Sequence, residues 1–129
     1  MFHEIKTQKD IEEFIERSNS LHDGYIIAVH YSNNGITKMN GGGYHFKPEK
    51  TKLSIQVLVT SIYDTIIEIE FENIQEWQIK DNQWEITDTA VLFDEKNRIL
   101  WLDDEYINPE DTKMGSYVIA GSMKWRIIE

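Results

Sequence analysis

The sequence predicts an α+β domain in which a short N-terminal helix packs on a curved antiparallel sheet or partial β-barrel of about seven strands. Three observations lead there. Apolar residues recur at helical spacing once, near the N-terminus, and from Gly24 onward the apolar period is two. No helical pattern separates the later segments, so the strands must pair antiparallel, and the sheet must curl or pack on itself to bury its apolar face. The chain has 129 residues, the size of one domain with one core, and it contains no repeat, low-complexity stretch or long Pro/Gly/Ser-rich linker.

Each element has a local reason. Thr7 followed by Asp10 resembles a capping box, and Ile11, Phe14, Ile15 and Leu21 fall on one helical face, which predicts a helix over residues 8–19. The acids Asp10, Glu12 and Glu13 stand in its first turn, where they complement the positive end of the helix dipole. Ser18-Asn19-Ser20 ends it. A strand begins at Gly24, with Ile27, Val29 and Tyr31 on one face and Ile26, Ala28 and His30 on the other. Asn33-Asn34-Gly35 is a hairpin signal, because Asn and Gly tolerate the positive φ of primed turns. A short returning strand over 36–39 should follow, broken or bulged by Gly41-Gly42-Gly43.

Further along, Leu53, Ile55, Val57 and Val59 alternate, as do Ile67, Ile69 and Phe71 beyond a turn at Ile62-Tyr63-Asp64, predicting an antiparallel pair. Residues 91–93 and 99–102 form a second hairpin around the charged turn 94–98. Tyr117, Ile119, Met123, Trp125 and Ile127 mark a last strand with a bulge near Gly121. The expected core contains Phe14, Val29, Val57, Ile69, Trp101 and Trp125.

Composition excludes several kinds of chemistry. There is no cysteine, so disulfides, thiolate nucleophiles, thiolate zinc sites and cysteine-held iron–sulfur clusters are ruled out. A net charge of −10 and a pI near 4.8 argue against nucleic acid as a partner, since phosphate binding draws on lysine and arginine. No apolar run reaches the roughly 18 residues of a membrane span, and residues 1–10 lack a signal-peptide pattern, so the sequence reads as soluble and cytoplasmic, with no membrane partner. The excess charge is uneven: residues 63–111 hold 15 acids and 3 bases. Such a field either keeps the chain soluble or steers a basic protein toward it.

Leu21-His22-Asp23-Gly24, placed after a short helix and before an alternating strand ending in Asn33-Asn34-Gly35, resembles a group of small bacterial proteins in which His-Asp-(Ser or Gly) opens the first strand of a β-rich domain. Many members have no assigned function, and some look like immunity proteins that neutralise polymorphic toxins. The resemblance covers the first 35 residues by motif and the remainder by strand rhythm. Here Gly24 stands where serine is commoner. What the resemblance implies is a small α+β domain and an inhibitory binding role.

Two residue sets are candidates for a site. The first is His22, Asp23 and His45. His22 and His30 would lie roughly 27 Å apart on a continuous strand, too far to share an ion, whereas a two-residue turn at Asn34-Gly35 would set His45 opposite Gly24 and close to Asp23. That corner would suit a metal-dependent or hydrolytic enzyme; otherwise His22 satisfies a backbone group and Asp23 caps a turn. No serine elbow or phosphate loop accompanies it, and no motif implies a cofactor.

The second set is acidic. Glu68, Glu70 and Glu72 form a stripe on the polar face of the strand whose other face is Ile67, Ile69 and Phe71. Asp103, Asp104 and Glu105 read as a solvated acidic loop. Together the six would bind a basic partner. Alternatively Lys52, Lys124 and Arg126, in phase with the stripe, neutralise it as a cross-strand ladder. The functional readings are therefore a non-catalytic binding protein that sequesters a basic partner, an enzyme at the histidine corner, or a carrier of a small ligand inside a curled sheet.

Overall fold

The computed structural model describes residues 1–62, 65–80, 85–104 and 115–128. Its strands are β1 (His3–Glu4), β2 (Gly24–Asn33), β3 (Ile36–Lys38), β4 (Tyr44–Phe46), β5 (Thr51–Val59), β6 (Thr65–Gln78), β7 (Glu85–Ile86), β8 (Ala90–Phe93), β9 (Ile99–Leu102) and β10 (Tyr117–Ile127), with one α-helix, α1 (Gln8–Arg17). Seven strands form one hydrogen-bonded path in the order β7-β2-β5-β6-β10-β9-β8, curled into a half-barrel, and β1 adds to β10. Every strand pairing is antiparallel.

The core follows from the period of two. Leu53, Ile55 and Val57 on β5 lie opposite Phe71, Ile69 and Ile67 on β6, and all six are fully buried. On β10, Met123 and Trp125 continue the same face opposite Phe71 and Ile69. Burying each such side chain contributes about 1.5–3 kcal/mol relative to leaving it exposed. Helix α1 closes this face. The Thr7 side chain accepts a hydrogen bond from the Asp10 amide while the Asp10 carboxylate accepts one from Thr7, so the capping box is complete. Ile11 and Phe14 are buried, and the Phe14 ring meets Trp125 edge-on at 5.4 Å.

Two expectations about β2 need correction. Its register against β5 shifts between Ile26 and Ala28, so Ile27 is an extra, half-exposed residue, and Ile26 rather than Ile27 shares the inward face with Val29 and Tyr31. The Asn33-Asn34-Gly35 segment is not the hairpin turn. The chain runs through it into β3 and reverses only at residues 39–43, where Gly41, Gly42 and Gly43 have φ of +89°, +98° and +81°. Three residues with no Cβ make that reversal easier than one built on Asn34. The result is a two-stranded arm, β3–β4, inserted between β2 and β5 as a separate sheet. Gly35 closes its base: the Lys47 amide donates to the Gly35 carbonyl at 2.9 Å, and a Cβ at Gly35 would run into the Lys47 carbonyl oxygen.

The bulge expected near Gly121 lies across from it. Between Ile119 and Ala120 the register moves on β6, with Gln75 as the extra residue and Asn73 at φ +58° opposite Gly121. The expected turn residues Tyr63 and Asp64 fall outside the described residues. Among the described residues no helix is long and apolar enough to cross a membrane.

Candidate functional site

The histidine corner does not assemble. Because the chain turns at 39–43, His45 pairs with Thr37 in the arm instead of lying opposite Gly24, whose partner is Val59. His22 follows a run of left-handed residues, Asn19, Ser20 and Leu21 at φ between +52° and +57°, that turns the chain from α1 into β2. This places its Nδ1 2.9 Å from the Thr87 carbonyl and 3.2 Å from Asp88 Oδ1, with Nε2 3.4 Å from Asp23 Oδ2. The Thr87 carbonyl and then the Asp23 carboxylate hold the His22 pKa above its ordinary value. Nδ1 thus ties the start of β2 to the segment between β7 and β8, while Nε2 faces the neighbouring Asp23. Among the described residues no group of three or more His, Asp or Glu side chains is arranged to hold a metal ion.

The glutamate stripe is a ladder. Arg126 on β10 meets Glu68 at 3.0 Å, Lys52 on β5 meets Glu70 at 3.0 Å, and Lys124 lies 3.9 Å from Glu70 and 3.7 Å from Glu72. Gln56 also donates to Glu68 at 3.3 Å. The Glu68 and Glu70 side chains are only 12% and 11% exposed, whereas Glu72 is 44% exposed. Hydrogen bonding to Glu70 raises the Lys52 pKa, the direction expected for a cation held by its partner.

The second acidic run is split. Asp103 is buried, at 5% exposure, and is not part of a solvated loop. Its amide donates to Ser116, Oδ1 has no partner, and burial raises its pKa. Asp104 is partly buried and forms an isolated bridge with Asp88. Glu105 lies outside the described residues.

Among the described residues, an exposed apolar surface lies where the sequence pattern singled out no site. On the arm, Ile36, Met39, Tyr44 and Phe46 are 57%, 51%, 70% and 50% exposed. Pairing of Ile36 with Phe46 and of Lys38 with Tyr44 places Ile36, Tyr44 and Phe46 on one face together with Lys38, with Thr37 and His45 on the other and Met39 at the turn. Alternation of Ile36-x-Lys38 and Tyr44-x-Phe46 about a glycine turn is a hairpin signal, and it competes with the one at Asn33-Asn34-Gly35. A second open apolar surface is a cavity of about 530 Å³ lined by Ile26, Ile27, Ala28, Val29, Trp77 and Ile79. It lies where the far end of β6 curls toward β2, with Tyr31 stacked on Trp77 at 5.5 Å.

Compared with protein-family models, curated proteins and solved structures, the chain matches none.

Proposed function

We propose that this protein is a non-catalytic module that binds another polypeptide, with the β3–β4 arm as its contact surface. The observation that carries this reading is the exposure of Ile36, Tyr44 and Phe46 together on one face of an element of three-residue strands, with Met39 also exposed at its turn. An isolated two-stranded hairpin is marginal in water, and a cluster of exposed large apolar side chains characterises binding surfaces. The engagement of both His22 nitrogens and the separation of His45 support binding over catalysis at that corner.

Capture of a basic protein, in the manner of an immunity-type inhibitor, is the second form of the same reading. It draws support from the acid excess of residues 63–111. Within the stripe Glu72 is the best placed, because its side chain is 44% exposed against 12% for Glu68 and 11% for Glu70, and Asp103 is buried.

The test is a photoreactive phenylalanine analogue at Tyr44, in cells making the chain at its natural level. A covalent adduct with a polypeptide, not formed when the analogue replaces exposed Glu12 on α1, is the expected result. No adduct at Tyr44 would reject the arm as a contact surface.

A further inference from the structure

We infer that the occupant of the arm is a second copy of this chain, each arm entering the cavity beside β2 of the other. The inference rests on the reading of the arm as a contact surface and names its partner. Two complementary surfaces stand open on the same molecule. One is the apolar face of the arm, and the other is the cavity lined by Ile26, Ile27, Ala28, Val29, Trp77 and Ile79. The arm's side chains are in solvent, so they do not fill that cavity within their own chain.

Charge selects the same partner. Residues 34–50 carry Lys38, Lys47 and Lys50 against Glu49, a net +2, which leaves −12 on the rest of the chain. An arm that is basic and apolar fits an acidic body with an apolar groove, and a second copy supplies both. Glu85, exposed on β7 opposite Tyr25, stands next to the Ile26 end of the groove. Reciprocal exchange uses both surfaces of each copy and closes at two molecules, as a two-fold interface must. The attraction between arm and body is between exposed charges, so salt weakens it.

Sedimentation of the purified full-length chain over a wide concentration range tests this. The expected result is a species of twice the chain mass that dissociates on dilution and at high salt. Tyr44→Ser with Phe46→Ser on the arm, and separately Ile27→Glu in the groove, should each weaken association by about tenfold or more, a factor that corresponds to about 1.4 kcal/mol. All three positions are exposed, so the fold should survive, which circular dichroism verifies. A mixture of the arm variant with the groove variant retains one intact arm–groove contact, and should associate more strongly than either variant alone. A monomer at every concentration, or a dimer indifferent to both variants, would overturn the inference. If the chain is monomeric while the analogue at Tyr44 joins a different polypeptide in cells, self-association is rejected and the binding-module reading stands. If it joins nothing, both fall.

Discussion

The Arg126 guanidinium lies 3.0 Å from the Glu68 carboxylate across the β10–β6 pair, and the same guanidinium sits 4.4 Å from the centre of the Phe2 ring. One cation therefore links the N-terminal segment, the last strand and the longest strand. Lys124 repeats the arrangement two residues earlier, with Glu70 and Glu72 on one side and Phe2 at 4.7 Å on the other.

Reversing the stripe should accordingly damage the fold. In Glu68→Lys with Glu70→Lys, two lysines would stand among Lys52, Lys124 and Arg126, at positions where the native side chains are nearly buried. Removing one partner of a buried pair costs about 3–5 kcal/mol, and partial exposure brings each site toward the lower end of that range. The expected outcome is a clearly lowered melting temperature in a thermal scan. An unchanged melting temperature would return the stripe to the pool of free binding residues.

Trp125 is 1% exposed and meets Phe14, His3 and Arg17, the last with its guanidinium carbon 4.9 Å from the ring centre. Trp101 is fully buried and packs 6.2 Å from Phe71. Truncating either to alanine should cost about 3–5 kcal/mol in denaturant unfolding. A loss below about 1 kcal/mol would place that ring at the surface.

His22 gives a pH dependence whose sign follows from its raised pKa. Its stabilising contribution is fully present below the unfolded-state pKa of about 6.5 and is lost as pH rises through the higher folded-state value. Wild-type stability should therefore fall more steeply than that of His22→Ala as pH is raised from mildly acidic to alkaline. Parallel stability–pH curves for the two proteins would show that the contacts to Thr87, Asp23 and Asp88 contribute nothing.

Asp103 has the opposite chemistry and the same direction of shift. Burial favours its protonated form, so its contribution is most favourable below the unfolded value near 3.9 and declines as pH rises through the higher folded value. At neutral pH the buried carboxylate is a cost. Asp103→Asn should raise the melting temperature at pH 7 by more than at pH 4, and an equal effect at both pH values would contradict this assignment.

Much of the sheet was legible because its signal is local. Leu53, Ile55 and Val57 against Ile67, Ile69 and Phe71 alternate without interruption, and only one register buries both sets. Thr7 and Asp10 announce the helix start for the same reason. What the sequence did not disclose depends on competition between two local patterns. Asn34-Gly35 and Gly41-Gly42-Gly43 each permit a reversal, and the choice between them moves His45 from the Asp23 corner to the arm. The Ile27 bulge was hidden similarly, since an extra residue in a continuously apolar run leaves no trace in the pattern. For the glutamate stripe both outcomes were visible, and the register that puts Lys124 opposite Glu70 and Arg126 opposite Glu68 determines the pairing seen.

The arm is the centre of this account, and amide hydrogen exchange at Thr37, Lys38 and Met39 tests it most directly. Free in solution, a hairpin of three-residue strands with exposed side chains opens readily and exchanges quickly. Seated in the groove of a second copy, its amides should become protected as protein concentration rises, and Ile27→Glu should abolish that protection. Fast exchange at these amides at every concentration would contradict the central claim.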